Sequence, residues 1–569
     1  MPLNHEANLI LEKITNHINT YIKSNPAIKR KRSQIKAIAN LKKDHANIKF
    51  VPADKNLGLT AIDILDYDYM IKVHLNDLNT YKMVNNFNIA TQYIEYKKLI
   101  NYISTKSLAS KMELTAFNNI KQNNVTIPNF YVLPKLHKGI HDLNNIRLIP
   151  TRPIVGATNW FTTPISIYLD TLLQPYIKSL KHILKNSTTL TEKLNLIDLN
   201  TNQFSENCLL VSFDVKSLYT NMDITLIPNL LKQFSTEFDL NTDLILKLVD
   251  YVLSNNFITY NEETYQQING IPMGTNAAVA LANIYLYLLI DKYLIKQDNV
   301  NFYHRFIDDL FFIYNNSINN LDILFNKINN IDPSLKFTKV VSKDNLEFLD
   351  INIRIIYGLD NNKYLEYETH QKSLNKYLYL TPQSCHNLPT LKGFIKGELI
   401  RYNRLSSNPL FFNKIKELFK IRLYQRGYSY KFLSNIFKEI TFNKIKSNHQ
   451  SKLSKVLPLV IPYSLRKNLT KLPSILKPFE NSFIRFLPGY KFTVVFSTTP
   501  SISNLITSSK ISSFQNSTIK KKRKISSNSP LNPKRLLLST DNKTKRKHSP
   551  EPTTTSKKIL PHNLSNNQA

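Results

Sequence analysis

Two adjacent carboxylates, Asp308 and Asp309, stand between apolar runs rich in β-branched and aromatic residues, which predicts a hairpin with both acids at its tip. Two like charges held side by side repel each other, and burying them is costly unless positive charge lies between them. Divalent cations supply that charge where phosphoryl groups are transferred in line, as in polymerases. A plain turn with two solvated acids is the alternative, since Asp favours turns. The chemistry of the pair therefore depends on the residues that accompany it.

A third acid, Asp214, ends the near-continuous apolar run of residues 209–213. Such a run predicts a buried strand that places the carboxylate at its end, although an Asp that caps a helix gives the same local pattern. Tyr219 follows five residues later, close enough to pack beside a nucleotide sugar above Asp214.

Small residues separate these acids in the chain, in the stretch 270–285. Its glycines allow a flat group to approach the backbone closely, and its alanine-rich part predicts a tightly packed helix. A simple loop that leads into a packed helix explains the alanines, but it does not explain Met273 and Gly274 at the entry.

Basic residues occur where they can bind phosphates. Lys55 lies in a strand–turn–strand pattern over residues 49–63, beside a turn that contains Asn and Gly, although a surface hairpin gives the same pattern. In residues 131–155, basic residues alternate with strand-like apolar positions, as expected of a β-rich lobe that binds nucleotide phosphates. Arg152 precedes a proline, which favours an extended backbone.

A strand-end Asp, a glycine-containing helix entry and an Asp-Asp hairpin follow one another in the order found in the palm of a right-hand polymerase. Three carboxylates arranged in this way can bind two metals about 4 Å apart. One metal activates the primer 3′ hydroxyl and the other stabilises the leaving pyrophosphate.

The composition agrees with a large nucleic-acid enzyme. The 569 residues suffice for three or more domains or for one multi-lobed enzyme, and a hydrophobic share of 42% can fill its cores. The net charge of +34 predicts a polyanionic partner, most simply nucleic acid. A basic host proteome or a solvated basic surface gives the same excess.

Cysteine content and hydropathy argue against several other classes of protein. Only Cys208 and Cys385 occur, so neither a disulfide framework nor a Cys-based zinc site is expected, and a reducing compartment is favoured. Residues 1–25 lack a long apolar core, so neither a signal peptide nor an anchor is expected. No run of about twenty apolar residues occurs, which argues against a membrane span.

The flanking regions are predicted to be helical or disordered. Residues 388–442 show a helical, basic pattern that suits a lobe lying along a duplex backbone. The arginines of this region are Arg401, Arg404, Arg422 and Arg426. From residue 511 the composition predicts a disordered tail, and its basic runs 520–524 and 543–547 are typical of nuclear localisation signals or loose nucleic-acid contacts.

Over residues 50–510 the sequence resembles the reverse transcriptases of Penelope-like retroelements. The motifs of the resemblance are Ala53-Asp54-Lys55, Leu133-Pro134-Lys135-Leu136-His137-Lys138, Arg152-Pro153-Ile154-Val155, Asp214-Val215-Lys216-Ser217-Leu218-Tyr219-Thr220-Asn221, Met273-Gly274, Phe306-Ile307-Asp308-Asp309 and Phe348-Leu349-Asp350. The motifs that resemble the thumb and the following linker of that family are Tyr377-Leu378, Ser384-Cys385-His386, Arg426-Gly427-Tyr428, Val494-Val495-Phe496 and Asn504-Leu505-Ile506.

The resemblance implies a metal site and its ligands. Asp214, Asp308 and Asp309 would be the catalytic residues that bind two Mg²⁺ or Mn²⁺ ions, with Asp308 the more central of the pair. The carbonyl of Val215 would be a further ligand.

The resemblance also implies a nucleotide pocket. Lys55 and Arg152 would hold the incoming triphosphate, and Tyr219 would be a steric gate against a 2′ hydroxyl. Met273 and Gly274 would shape the pocket for nucleotide and template. Many reverse transcriptases have Gln where Met273 stands, whereas Met fits the Penelope-like pattern.

The expected fold is therefore α+β, a right-hand polymerase with fingers, palm, a mostly helical thumb and a disordered basic C-terminal tail. The expected boundaries are 1–48 for a helical N-terminal extension, 49–205 for the fingers and the start of the palm, 206–360 for the palm, 361–480 for the helical thumb, 481–510 for a linker and 511–569 for the tail.

The expected activity is that of an RNA-directed DNA polymerase in the nucleus, with an RNA template, a DNA primer and dNTPs as partners and no membrane. After the linker the sequence has no Gly-Ile-Tyr, Tyr-Ile-Gly or Cys, so the GIY-YIG endonuclease of better known Penelope-like members is not expected. A separate nuclease or chromosome-end DNA is then a candidate partner.

Two alternatives remain open. A domesticated, non-catalytic nucleic-acid-binding protein is disfavoured by the complete set of three acids, because a decayed copy loses such acids freely. A telomerase-like or RNA-copying polymerase is disfavoured by Tyr219 and by the lack of a long N-terminal RNA-binding region.

Overall fold

The computed structural model describes residues 32–120, 122–138, 146–201, 208–359, 362–372, 375–384, 386–442, 455–462 and 490–497, with the single positions 12, 13, 16, 20, 204 and 507. In this part of the chain, helices combine with a five-stranded, a four-stranded and a three-stranded sheet and with two strand pairs. The described residues therefore form an α+β structure, as predicted.

The N-terminal lobe consists of a hairpin, part of the five-stranded sheet and their helices. Its elements are α1 (Arg32–Asp44), β1 (Ile48–Pro52), β2 (Leu59–Asp63), α2 (Ile64–Leu75), β3 (Tyr81–Met83), α3 (Ile89–Thr105), α4 (Lys111–Asn118), β4 (Asn129–Pro134) and β5 (Thr151–Gly156). β1 and β2 pair antiparallel, as predicted for residues 49–63. The turn between them holds Lys55 with a left-handed backbone, φ 57°. At the start of α2, the side chain of Asp63 accepts a hydrogen bond from the amide of Leu65, at 2.8 Å.

The central lobe consists of a four-stranded antiparallel sheet and the helices that cover it, and its part of the chain also contains two strands that complete the five-stranded sheet. Its elements are α5 (Thr162–Ser179), α6 (Ser187–Leu194), β6 (Leu209–Val215), α7 (Leu218–Asn221), α8 (Ile227–Glu237), α9 (Thr242–Ser254), β7 (Phe257–Tyr260), β8 (Glu263–Gln267), α10 (Ala278–Leu286), a π-turn (Tyr287–Asp291), α11 (Lys292–Ile295), β9 (Val300–Phe306), β10 (Asp309–Tyr314), α12 (Ile318–Ile331) and β11 (Phe337–Ser342). The strand order is β11-β6-β10-β9. Because β6 and β10 are central, both are almost entirely apolar and buried on both faces. Between them the rings of Phe213 and Phe312 pack edge to face, with centroids 5.1 Å apart.

One helical segment of this lobe has the length and hydropathy of a membrane span. Among the described residues only Ala278–Ile295 qualifies, with a mean hydropathy of 1.5, and 67% of the segment is buried inside the protein. Helices α5 and α8 pack against it. Its apolar character is therefore that of a core helix.

The C-terminal lobe joins a small sheet to a helical bundle. Its elements are β12 (Asn345–Phe348), β13 (Ile351–Tyr357), β14 (Lys363–Thr369), α13 (Leu388–Arg404), α14 (Pro409–Gln425), α15 (Tyr430–Lys438), β15 (Lys455–Pro462) and β16 (Tyr490–Ser497). The three helices enclose a core of their own, in which Tyr402, Phe412 and Phe419 are fully buried. The helices predicted between residues 388 and 442 are thus present.

The predicted palm, residues 206–360, differs from the structure in two ways. β7 and β8 lie within it but join the sheet of the N-terminal lobe, in the order β3-β8-β7-β4-β5. The apolar pattern of residues 346–353 is typical of one continuous strand, but a turn at Leu349, with φ 54°, divides them between β12 and β13. No Gly or Pro marks that turn, so the apolar pattern runs on through it.

The predicted helical thumb and linker also contain strands. β14 and β15 lie within residues 361–480, and β16 lies within 481–510. β15 and β16 pair in parallel, and both are rich in the apolar and β-branched residues that favour strands. The predicted tail, residues 511–569, and most of residues 1–31 lie outside the described residues.

Candidate active site

The hairpin of β9 and β10 brings the three predicted carboxylates together. β10 lies between β9 and β6, and in its register with β6 Asp309 stands opposite Asp214. Asp308 belongs to the hairpin turn, and its carbonyl accepts a hydrogen bond from the amide of Val215, at 3.2 Å. Opposite residues of an antiparallel pair have side chains on the same face, with Cβ atoms about 5 Å apart. Asp214 and Asp309 therefore share one face of the sheet, with Asp308 beside them.

The charges of these acids oppose one another. Burial, followed by the charges of Asp308 and Asp214, raises the pKa of Asp309 to about 7. Burial, followed by the charge of Asp308, raises the pKa of Asp214, and burial raises that of Asp308. The positive charge of Lys55 acts in the opposite direction on Asp214 and Asp309, but the pKa values of both acids remain raised. The site therefore has an excess of negative charge that a bound cation would relieve.

A divalent cation fits this set of donors. Carboxylate oxygens are preferred ligands of Mg²⁺ and Mn²⁺. Within the described ranges, no three Asp, Glu, His or Cys side chains form a metal cage by themselves. Mg²⁺ commonly binds through one or two carboxylates together with substrate phosphates rather than in an all-protein cage. Asp214, Asp308 and Asp309 thus suit a metal whose coordination a nucleotide completes.

Cationic side chains of the N-terminal lobe surround the three acids. Arg152 forms an ion pair with the buried Asp54, in which Nε of Arg152 lies 3.3 Å from Oδ1 of Asp54. The positive charge of Arg152 partly offsets the effect of burial on the pKa of Asp308. Burial, followed by the charges of Arg152 and Lys138, lowers the pKa of Lys135. Cations crowded together in this way form a site for an anion such as a triphosphate. Lys55 and Arg152 were predicted to lie here, whereas Lys135 and Lys138 were predicted only as members of a basic strand.

The loop before α10 lies between the predicted gate and β5. The amide of Val155 donates to the carbonyl of Met273 at 2.9 Å, and the carbonyl of Tyr219 accepts a bond from the same loop at 2.6 Å. Gly274 has φ 128°, and a Cβ there would overlap the carbonyl oxygen of Val155. Burial, followed by the charge of Asp308, raises the pKa of Tyr219 to about 12. The structure therefore places Tyr219 near Asp308, and it places the loop of Met273 and Gly274 between Tyr219 and β5. The role of these residues in a nucleotide pocket remains a prediction.

Three arginines predicted to lie along a duplex have partners within the protein. Arg401 pairs with Asp350, at 3.0 Å. The guanidinium of Arg422 lies over the ring of Tyr377, 3.5 Å from its centroid, and Arg426 donates to a backbone carbonyl at 2.8 Å. These contacts attach the helices of the C-terminal lobe to the small sheet and to the chain that follows β14.

Two residues near the acids were not predicted to belong to the site. Lys372, after β14, lowers the pKa of both Asp309 and Asp350, so its charge faces the acids from the C-terminal lobe. Arg305 is fully buried beneath the hairpin. No sequence pattern distinguishes Lys372 from other exposed lysines, whereas an arginine inside an apolar strand beside the Asp pair is a detectable anomaly.

Comparison with known protein families finds a match for the part of the chain that contains the three acids. Residues 151–352 match the family model described as reverse transcriptase (RNA-dependent DNA polymerase). This range includes β5, the central sheet with its three acids, and the turn at Asp350. No curated protein sequence matches the chain.

Several solved structures match the chain at low sequence identity and with TM-scores below 0.5. Telomerase from Candida albicans in complex with a TWJ fragment of telomeric RNA has a TM-score of 0.45 and 12% identity over 77% of this chain and 69% of that chain. Apo telomerase from Candida tropicalis has a TM-score of 0.41 and 11% identity over 78% of this chain and 74% of that chain. Apo telomerase from Candida tropicalis truncated from the C-terminal domain has a TM-score of 0.37 and 11% identity over 54% of this chain and 62% of that chain.

The fold and the family match define the class of protein. The chain has a right-hand polymerase fold, in which the N-terminal, central and C-terminal lobes correspond to fingers, palm and thumb. Residues 151–352, which include most of the palm, match a reverse transcriptase domain, the domain of RNA-directed DNA polymerases, which are nucleotidyltransferases. The chain spans less than two thirds, 62%, of the length of the truncated telomerase structure.

Proposed function

We propose that this protein is the reverse transcriptase of a Penelope-like retroelement, which extends a DNA primer on an RNA template in the nucleus. The observation that carries the proposal is the opposition of Asp214 and Asp309 across β6 and β10, with Asp308 in the adjoining turn. The Penelope-like motifs and the basic runs near the C-terminus support the finer assignment.

In this proposal Asp214, Asp308 and Asp309 would hold two Mg²⁺ or Mn²⁺ ions, which would supply the positive charge that activates the 3′ hydroxyl of the primer and neutralises the leaving pyrophosphate. Lys55 and Arg152 bind the triphosphate, and Asp54 keeps the Arg152 guanidinium oriented toward it.

The remaining pocket residues determine which nucleotide binds. Tyr219 excludes a 2′ hydroxyl by its bulk, and the backbone of Met273 and Gly274, which lies directly against Val155 of β5, forms part of the pocket wall. Lys135 and Lys138 add positive charge at the same place.

Primer extension on an RNA template with dNTPs and Mg²⁺ tests the function. Asp308→Asn should abolish extension while primer–template binding persists, because a neutral amide is a poor ligand for Mg²⁺. Asp298→Asn is the matched control, since Asp298 is an exposed acid just before β9. Extension by Asp308→Asn at the wild-type rate would show that the site is misassigned. Binding without extension by the wild type would support the non-catalytic alternative.

A further inference from the structure

A buried arginine lies directly beneath the turn of the catalytic hairpin. Arg305 is 0% exposed, and its Nη1 donates to the carbonyl of Ile307 at 2.9 Å. The same nitrogen donates to Oδ1 of Asn283 at 2.8 Å, and Nη2 donates to the Asn283 carbonyl at 3.1 Å. The guanidinium thus connects the hairpin turn to helix α10.

Asp291 holds this guanidinium in place. Its carboxylate, also 0% exposed, accepts bonds from Nε of Arg305 at 2.8 Å and from Nη2 at 2.7 Å. Its Oδ1 also accepts from the hydroxyl of Tyr303 at 2.6 Å, and its Oδ2 lies 2.8 Å from Nε2 of His182. Asp291 is the last residue of the π-turn, an irregularity that occurs often at functional sites in helices.

The hydrogen bond from Arg305 to the carbonyl of Ile307 lies at a residue with an unfavourable backbone conformation. Ile307 has φ 53°, a left-handed conformation that is unfavourable for a β-branched residue. Such a conformation persists only when surrounding contacts determine it. Ile307 directly precedes Asp308, so its conformation sets the direction in which both acids of the hairpin point.

A buried ion pair is often replaceable by apolar residues without loss of stability, so stability alone is a weak reason for one here. We infer that Arg305 is a positioning residue that holds the left-handed turn at Ile307 and thereby fixes Asp308 and Asp309 for metal binding, with Asp291 as its anchor. The inference rests on the proposed polymerase function and adds a specific support to that site.

Arg305→Lys tests the inference, because it keeps the charge but cannot form the forked bonds to Ile307 and Asp291. We expect kcat for primer extension to fall roughly 10- to 100-fold, the usual cost of removing a residue that orients metal ligands. The KM for dNTP should stay near the wild-type value, since Lys55 and Arg152 are untouched. Binding of Mn²⁺ alone, measured calorimetrically without nucleotide, should weaken in the same variant.

Controls separate positioning from general destabilisation. Leu248→Ala alters a fully buried side chain of the same core, on α9, which packs against α3, α5 and α8. It should lower the melting temperature but leave kcat per folded molecule and Mn²⁺ affinity unchanged. Ile307→Gly, which relieves the left-handed strain, should partly restore kcat to Arg305→Lys.

The inference is overturned if Arg305→Lys behaves like Leu248→Ala, losing activity only in proportion to folded protein and binding Mn²⁺ as the wild type does. Failure of the wild type to extend a primer is a different result, because it overturns the proposed function. In that case the Mn²⁺ measurement still decides whether Arg305 positions the acids.

Discussion

Tyr219 is the residue that we expect to set the preference of the pocket for deoxyribonucleotides over ribonucleotides. Its ring lies close enough to Asp308 for that charge, together with burial, to raise its pKa to about 12, so the phenol stays neutral at physiological pH. Its carbonyl bonds to the loop before α10, at 2.6 Å, which fixes the backbone at this point. A neutral, fixed aromatic side chain over the acids can exclude a 2′ hydroxyl by volume alone.

Replacing Tyr219 by Val should therefore admit ribonucleotides. The preference for dNTP over rNTP, taken as a ratio of kcat/KM values, should fall roughly 10- to 100-fold, because discrimination by pocket shape has this size. Tyr219→Phe keeps the ring and is the control. An unchanged preference in Tyr219→Val would contradict the gate assignment.

Gly274 is constrained by its neighbours to remain glycine. It has φ 128°, and a Cβ there would overlap the carbonyl oxygen of Val155. Gly274→Ala should therefore push the loop away from β5, lower stability by roughly 1–3 kcal/mol and raise the KM for dNTP. Thermal unfolding and steady-state kinetics measure the two effects.

Gly393 provides the matched control for this substitution. It lies in α13, and a Cβ there would meet no atom within 4 Å. Gly393→Ala should stabilise the protein by roughly 0.5–1 kcal/mol, because alanine is the better helix former. Equal effects of the two substitutions would show that the contact with Val155 is not what constrains Gly274.

At the scale of elements, Asp350 joins the small sheet to α6 of the palm and to α13 of the thumb. It lies in the turn between β12 and β13, and its Oδ2 accepts from the hydroxyl of Ser187 at 2.9 Å and pairs with Arg401 of α13 at 3.0 Å. Burial raises the pKa of Asp350, but the charge and hydrogen bond of Arg401 outweigh that and lower it below its ordinary value. The carboxylate is thus ionised and connects palm and thumb.

Asp350→Asn should loosen the thumb without stopping chemistry. We expect the Kd for primer–template to rise by less than about fivefold, because a half-exposed ion pair contributes at most about 1 kcal/mol. Processivity should fall while the rate of the first incorporation is kept. Glu439→Gln, which removes an ion pair with Lys396 inside the thumb, is the control. A first incorporation that slows as much as later ones would contradict this role.

The sequence predicted the hairpin of β9 and β10 correctly because apolar runs flank the two acids closely. It could not predict that Asp309 stands opposite Asp214, since register depends on how distant strands pair. The transfer of β7 and β8 to the other sheet was missed for the same reason, whereas the turn at Leu349 was missed because no Gly or Pro marks it. The partner of Arg305 was also hidden, because Asp291 lies on another element, in a π-turn that no local pattern marks.

At the scale of the whole molecule, positive charge is distributed between the lobes and the C-terminal residues. Residues 511–569 contain 13 Lys and Arg against 2 acids, which is +11 of the net +34. The remaining +23 belongs to residues 1–510, which include the fingers, palm and thumb. Both parts can contact nucleic-acid phosphates, and the three acids belong to the described lobes.

The affinity for primer–template should therefore fall steeply with salt, in the full chain and in a chain ending at residue 510. Each phosphate contact that releases a counterion contributes about −0.9 to the slope of log binding constant against log salt concentration. Deleting residues 511–569 should make the slope shallower, yet leave it clearly negative and leave the extension rate at saturating primer–template unchanged. Fluorescence anisotropy between low and moderate salt gives both slopes, with a short duplex of unrelated sequence as the control for non-specific binding. A flat dependence in the full chain would contradict phosphate-dominated binding, and a flat dependence in the shortened chain alone would mean that the tail makes the contacts assigned to the lobes.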